Sequence, residues 1–274
     1  LFFSCFVSSM TNHFMRLKAL VNDQSEQFWL LRCYLKQNRA SAPLCSRIYR
    51  HVEFLLKQKY DVLPREKVKL LEYVSKDLLN ELAFAMYKDT ILDHPFFYAL
   101  WCISDIVMMR LCGVACSKEV FAHGDAIFFQ AESGKAPFFM VSGMAMYKMC
   151  GQDGGGTMNF VEFEPAEDSY TSVEAGHMIT EPSLWTPNWV HRGRLHAKTE
   201  CTMLTINPEG FRNVVEASPP LWGFVQFYAV NYVGWLNQMP LNELTDILSL
   251  EDFRWQLEAF LPETEDFDIT PSQS

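Results

Sequence analysis

The sequence lacks the signatures of several well-defined protein classes. Its eight cysteines form no Cys-x-x-Cys pair and show no Cys/His spacing suited to zinc, so the common structural zinc sites are not indicated. It contains no nucleophile elbow, kinase motif or P-loop, since the glycine cluster at 151–156 lacks the lysine and helix that a P-loop requires. No catalytic grouping is therefore indicated, and we expect the chain not to be an enzyme.

A long apolar run is also missing. The sequence starts with the apolar stretch 1–7, but Asn12, His13 and Arg16 end it well short of the roughly 20 residues that a membrane span requires. The stretch carries no initiator methionine, which suggests that the sequence begins inside a longer protein. Two interpretations of it remain open at this point: the last turns of a membrane helix, or an ordinary N-terminal core helix.

Charge is distributed unevenly along the chain, whose net charge is −10. Residues 14–60 hold nine Lys and Arg against three Asp and Glu, whereas residues 161–274 hold five against eighteen. A basic segment after an apolar run is typical of the cytoplasmic side of a membrane, although a solvated helix gives the same pattern. The acidic second half disfavours a nucleic-acid partner, because nucleic acid binds to a basic face.

Hydrophobic periodicity predicts helices first and strands after them. Apolar residues at three- and four-residue steps predict helices over 14–38, 44–59, 65–73 and 76–93, with breaks before Pro43 and Pro64 and an end at Pro95. Short β-type runs between glycine turns predict strands at 118–121, 126–130, 138–142, 144–148, 160–163, 195–198 and 202–206. Further helices are predicted over 207–215, 221–238 and 244–260. This order of elements indicates an α+β fold.

Four segments in a fixed order resemble the cyclic-nucleotide-binding domain. They are Phe121–Gln130, Phe138–Gly143, Gly176–Glu181 and Leu204–Phe211. The preceding stretch 34–97, which includes Asp93-His-Pro-Phe-Phe97, is similar to the C-linker that joins a channel's last pore helix to that domain. The resemblance implies a helical C-linker followed by a jelly-roll-like β-roll with flanking helices and a C-terminal lid helix.

The same resemblance implies a division of the chain and a set of partners. It assigns 1–13 to the end of a pore-lining helix, 14–98 to the C-linker, 99–238 to the β-roll with its lid, and 239–274 to a C-terminal helix and acidic tail. It points to channels of the hyperpolarisation-activated, cyclic-nucleotide-gated and ether-à-go-go type. The partners would then be other subunits of a homo- or heterotetramer, held through the C-linker, and the membrane, reached through the pore helix. The fragment would lie on the cytoplasmic side of that membrane protein.

The resemblance also predicts where a nucleotide pocket would lie, and this sequence departs from the family there. Glu181 matches the family's ribose-binding glutamate, but Thr180 replaces a glycine and Pro182 brings no N–H group. His191 stands where the family has its phosphate-binding arginine, with Arg192 and Arg194 as alternative cations. Losing the arginine contact is expected to cost about 1.5–3 kcal/mol. The predicted degenerate pocket consists of Ile179, Thr180, Glu181, Pro182, Ser183, His191, Arg192, Gly193 and Arg194.

Three functional hypotheses follow from these residues. The first is a gating and assembly module of a tetrameric cation channel, with potassium the favoured ion, which needs no cofactor and acts without ligand. The second is a cyclic-nucleotide sensor, in which cAMP or cGMP orders the 221–238 helix over the pocket and gates the channel. The third is a regulatory domain of a soluble enzyme, which the helical first part disfavours. Under the first hypothesis cAMP or cGMP would bind at most with low affinity.

Overall fold

The computed structural model describes residues 10–11, 25–61, 67–149, 170–248 and 250–262. The predicted break at Pro64, the glycine cluster, the strand at 160–163 and the acidic tail lie outside the described residues. The chain divides into two compact units, Leu1–Glu53 and Phe54–Ser274. Among the described residues no helix is both long enough and apolar enough to cross a membrane.

The first unit contains α1 (residues 25–37) and the beginning of α2 (Ala42–Asp61), which runs on into the second unit. The turn between the two helices passes through Arg39, whose φ of 52° is left-handed. Pro43 lies in the first turn of α2, where its missing N–H costs nothing because that group has no partner within a helix. The predicted break before Pro43 is therefore present.

The helices of the second unit begin with a short 3-10 helix, Lys69–Tyr73, in place of the α-helix predicted over 65–73. They continue as α3 (Lys76–Ile91), α4 (Pro95–Ile103) and α5 (Asp105–Val114). The prediction that Pro95 ends the helical set is wrong, because this proline occupies the first position of α4 and two helices follow it. Ser75 and Ser104 cap α3 and α5 by accepting from the N–H groups of Leu78 and Val107.

Within the described residues, nine strands form two antiparallel sheets. The strands are β1 (Cys116–Phe121), β2 (Ala126–Phe128), β3 (Phe138–Ser142), β4 (Ala145–Met149), β5 (Thr171–Val173), β6 (Met178–Ile179), β7 (Gly193–Ala197), β8 (Cys201–Ile206) and β9 (Ile247–Leu248). One sheet has the order β1-β8-β3-β6-β9 and the other the order β2-β7-β4-β5. Mixed helices and antiparallel sheets confirm the predicted α+β class. The finer architecture, a C-linker and a jelly-roll, stays a prediction.

The remaining helices lie between and after the strands. They are α6 (Pro182–Trp185), α7 (Pro208–Glu216), α8 (Pro219–Gln238) and α9 (Leu250–Ala259). Asn207 caps α7 as predicted, since its side-chain oxygen accepts from the N–H of Gly210 at 2.8 Å. The helix predicted over 244–260 is wrong in its first part, where Ile247 and Leu248 form β9 instead. Pairing of this segment with β6 outweighs its helical periodicity.

Two hydrophobic clusters hold the second unit together. The larger one joins α4, α5, α7, α8 and α9 to one face of the five-stranded sheet. Its centre is Phe96, whose ring packs against those of Phe97, Trp185, Phe224 and Tyr228. The smaller cluster lies between the two sheets and includes Phe128, Met140, Tyr147, Leu195 and Met203. Helix α8 is thus part of the core, through Leu221, Phe224, Tyr228 and Tyr232.

Candidate functional site

The candidate site forms where the chain returns to the sheets after α8. Strand β9 pairs with β6 in antiparallel register, with Ile247 opposite Ile179. This pairing brings the preceding residue, Asp246, beside Thr180, and the N–H of Thr180 donates to the Asp246 carbonyl at 2.5 Å. Asp246 is only 1% exposed. An aspartate this deeply buried requires partners for both carboxylate oxygens.

Five hydrogen-bond donors converge on the Asp246 carboxylate. Oδ1 accepts from Nε1 of Trp189 at 2.8 Å and lies 3.0 Å from Nδ1 of His191, which donates when it carries the proton. Oδ2 accepts from the hydroxyl of Tyr147 at 2.8 Å and from the N–H groups of Arg192 at 2.7 Å and Gly193 at 3.1 Å. Each partner is a donor, so the arrangement fits a carboxylate that accepts at both oxygens.

The donors are held in place by the four-stranded sheet and by the loop that leads into β7. Tyr147 lies in β4, and another residue of this strand, Met149, pairs with Gly193 at the start of β7. The His191 ring stacks on Phe128 with a centroid distance of 3.8 Å and an interplanar angle of 6°. A Cβ atom at Gly134 would lie 2.8 Å from the Trp189 ring, so the close approach of this backbone to the indole requires glycine.

The electrostatics of the site keep Tyr147 protonated. Burial is the main reason that the pKa of Tyr147 is raised well above its usual value, and the nearby Asp246 charge adds to the shift. A neutral phenol can donate to Asp246, whereas a phenolate would repel it. The tyrosine is therefore a donor throughout the physiological pH range.

Glu181, which the sequence places in the nucleotide pocket, has its own set of donors in the helical core. Its Oε1 accepts from Nε1 of Trp185 at 3.1 Å and from the hydroxyl of Tyr228 at 3.0 Å. Its Oε2 lies 3.3 Å from Nε2 of His94, and the residue is 1% exposed. The carboxylate thus connects α4, α6 and α8. Burial, with the Glu181 charge as a second cause, raises the pKa of Tyr228 and of Tyr232.

Thr180 adopts the backbone conformation that glycine would favour at its position. Its φ is 60°, in the left-handed region, where a β-branched residue is strained. Its Oγ1 is buried and has no hydrogen-bond partner within the described residues. The turn nevertheless directs its N–H toward Asp246 and its carbonyl toward Ser183, whose hydroxyl donates to it at 2.8 Å.

The other predicted pocket residues are divided between the Asp246 site and its surroundings. Ile179 is buried in β6, and Pro182 and Ser183 form the first turn of α6. The backbone N–H groups of Arg192 and Gly193 contact Asp246. The guanidinium groups of Arg192 and Arg194 bind other partners. Arg192 Nη2 donates to the Leu241 carbonyl at 3.1 Å, and Arg194 Nη2 donates to the Tyr170 hydroxyl at 2.6 Å.

Three residues of the site were not predicted from the sequence: Tyr147, Trp189 and Asp246. Neither aromatic residue was predicted to contact a carboxylate, because an aromatic side chain in or near a strand gives no sign of its hydrogen-bond partner. Asp246 was placed in a helix. The signal that points to it is local, an acidic residue directly before the apolar pair Ile247–Leu248.

No protein-family model matches the chain, and no curated protein matches it. Within the part of the chain that the structure describes, no group of three or more His, Cys, Asp or Glu side chains could hold a metal ion. What the site can do chemically follows from its donors. It binds one carboxylate, and His191 is the one donor side chain among the five that can carry a positive charge.

Proposed function

We propose that this chain is the gating and assembly module of a tetrameric cation channel, with potassium the favoured ion, and that it acts without a diffusible nucleotide. The observation that carries the proposal is the position of Asp246. Its carboxylate accepts from His191, the residue that stands at the arginine position of the family's phosphate site, and from the adjacent N–H groups of Arg192 and Gly193. The chain's own aspartate thus takes the donors that a nucleotide phosphate would need.

Competition from a free nucleotide is unfavourable for two reasons. Asp246 is tethered, and a group on a short tether acts at an effective concentration on the order of millimolar. A nucleotide would also have to separate β9 from β6, which buries Ile247 and Leu248. Glu181, the family's ribose partner, is already bonded to Trp185 and Tyr228. These contacts favour a pocket that stays filled by the chain itself.

The assembly part of the proposal is supported by an exposed apolar surface on the 3-10 helix and α3, which we call the α3 surface. Its residues are Leu70 (75% exposed), Tyr73 (86%), Leu78 (57%), Leu82 (46%) and Met86 (62%). Leu78, Leu82 and Met86 are four residues apart and therefore share one face of α3. The opposite side of the helix packs on α5. Contiguous apolar surfaces of this kind mark protein contacts, as a subunit interface in a tetramer requires.

The pocket is tested by isothermal titration of the 274-residue chain with cAMP and with cGMP up to millimolar concentration. We expect no binding heat from a sample whose near-ultraviolet circular dichroism shows ordered aromatic side chains. Binding of either nucleotide at micromolar concentration would overturn the proposal and would favour the cyclic-nucleotide sensor instead.

Assembly is tested by light scattering of the same chain over a range of protein concentrations. We expect a tetramer to form at high concentration, and the double variant Leu78→Glu/Leu82→Glu to remain monomeric. Val230→Glu is the matched control, since Val230 is an exposed apolar residue (71%) on another helix, α8. A chain that is monomeric at every concentration, or a control that dissociates as the double variant does, contradicts the role of the α3 surface.

A further inference from the structure

We infer that the donors around Asp246 form a binding site for a carboxylate monoanion, which the Asp246 side chain occupies and which a free carboxylate can occupy when that side chain is absent. The inference deepens the proposed function and rests on its claim that the chain's own aspartate fills the pocket. It concerns the chemistry of the site, which the five donors define.

The geometry of the donors fits a carboxylate group. Two of them lie next to Oδ1 and three next to Oδ2, with donor–oxygen distances between 2.7 and 3.1 Å. The donors are therefore arranged around two oxygens of one planar group. Formate and acetate present the same two oxygens at the same spacing as the side chain of aspartate.

The charge of the donors fits an anion with a single negative charge. Trp189, Tyr147 and the two backbone N–H groups are neutral donors, and His191 supplies at most one positive charge. A monoanion is balanced by that charge, whereas a dianion such as hydrogen phosphate would leave a second negative charge buried. A buried charge without a partner is strongly disfavoured. The site therefore discriminates between carboxylate monoanions and phosphate dianions.

The donors are held in place by contacts that do not involve Asp246. Gly193 belongs to the β4–β7 ladder, and the N–H of His191 donates to the Glu132 carbonyl at 2.9 Å. The Trp189 carbonyl accepts from the N–H of Gly134 at 2.9 Å. Removal of the Asp246 side chain thus leaves a preformed cavity with five unsatisfied donors. A small anion that satisfies them stabilises the folded state by mass action.

The test is thermal unfolding of the Asp246→Ala variant of the full chain in sodium formate, sodium chloride and sodium sulfate at equal ionic strength and pH 7, where sulfate is a tetrahedral dianion. We expect formate to raise the unfolding temperature in a saturable way at millimolar concentration. Sulfate should stabilise the variant no more than it stabilises the wild type, since its exclusion from the protein surface acts on both. The wild type, whose site is filled, should respond equally to formate and chloride. The Asp246→Ala/His191→Phe variant keeps an aromatic ring to stack on Phe128 and should lose the response to formate.

The outcomes separate this inference from others. Equal unfolding temperatures of folded Asp246→Ala in formate and chloride overturn it, and a saturable effect of sulfate equal to that of formate overturns the selectivity. If Asp246→Ala does not fold in chloride, the yield of refolded protein in formate is measured instead. Asp246→Ser then serves as a second variant that lacks the carboxylate. No gain in formate for either variant then overturns the inference. Nucleotide binding by the wild type would overturn the proposed function alone, because the response to formate does not depend on it.

Discussion

Nδ1 of His191 lies 3.0 Å from Oδ1 of Asp246, although the two residues are 55 positions apart in the sequence. A second buried pair has the same character, since Nε2 of His94 lies 3.3 Å from Oε2 of Glu181. Each carboxylate also accepts from one tryptophan and one tyrosine. Thr180 connects the two groups, because its N–H donates to the Asp246 carbonyl and Glu181 follows it in the chain. The second unit thus contains two buried carboxylates in adjacent sites, and each of their four oxygens has at least one hydrogen-bond partner.

The first prediction concerns Glu181, which we expect to stabilise the helices around it. In Glu181→Gln the amide oxygen still accepts from Trp185 and Tyr228, but these hydrogen bonds are no longer assisted by a negative charge and are weaker. A hydrogen bond to a charged group contributes about 1.5–3 kcal/mol and a neutral one about 0.5–1.5 kcal/mol, so the free energy of unfolding should fall by about 1 kcal/mol or more. Urea denaturation followed by circular dichroism measures the change.

The matched control for Glu181 is Glu243→Gln, at an exposed site in the connection after α8. Its effect should lie within about 0.5 kcal/mol of zero, as for most surface substitutions. If both variants lose the same small amount of stability, the Glu181 hydrogen bonds do not stabilise the fold.

The larger elements were predictable because their signals are local. Helix α8 and the strands β3 and β8 appear at or within two residues of their predicted bounds, since their apolar patterns are long and strong. The three strands that were missed, β5, β6 and β9, are two or three residues long. Such short strands form because a neighbouring strand pairs with them, and a sequence window cannot show that partner.

The sequence pointed to Thr180, Glu181 and the segment 191–194. The structure places Thr180 and residues 191–193 beside Asp246, whereas Glu181 has a separate set of partners. Asp246 itself comes from a segment more than 50 positions later. Its role depends on donors from Tyr147, Trp189 and two backbone N–H groups. Backbone donors have no sequence signature, which is why the carboxylate site could not be predicted.

The second prediction is that Thr180→Gly stabilises the chain. The left-handed backbone at Thr180, with a φ of 60°, costs a non-glycine residue about 1–2 kcal/mol, and its buried hydroxyl has no partner within the described residues. Glycine removes both penalties and retains the N–H that donates to Asp246. We expect a gain of about 1 kcal/mol in the free energy of unfolding, after the larger chain entropy of glycine is subtracted.

Thr180→Ala separates the two penalties in the same urea measurement, because it removes the hydroxyl and keeps a Cβ atom in the strained conformation. We expect its stability to lie between those of the wild type and Thr180→Gly. If Thr180→Gly is less stable than Thr180→Ala, the backbone at this position is not strained in the folded chain.

The third prediction is that the folded state loses stability above about pH 10. Burial raises the pKa of Tyr147, Tyr228 and Tyr232 above the value of about 10 that tyrosine has in an unfolded chain. Below pH 10 both states hold these protons, and stability does not depend on them. Above it, the unfolded chain releases protons that the folded chain retains. Each tyrosine then lowers the free energy of unfolding by about 1.4 kcal/mol per pH unit until the folded pKa is reached.

Two thiols also lower the free energy of unfolding at alkaline pH. The loss of stability above pH 10 therefore cannot be assigned to the tyrosines from the wild type alone. A hydrogen bond to Cys112 raises the pKa of Cys116, and burial raises that of Cys201. The contribution of one tyrosine is therefore obtained by difference, from urea unfolding of the wild type and Tyr147→Phe at pH 9, 10 and 11. We expect the variant to be less stable at pH 9, because Asp246 loses a donor, and to lose stability less steeply above pH 10.

Tyr73→Phe, at a ring that is 86% exposed, should keep the wild-type slope. Equal slopes for the wild type and Tyr147→Phe would contradict the raised pKa, since a tyrosine that ionises alike in both states contributes nothing to the slope.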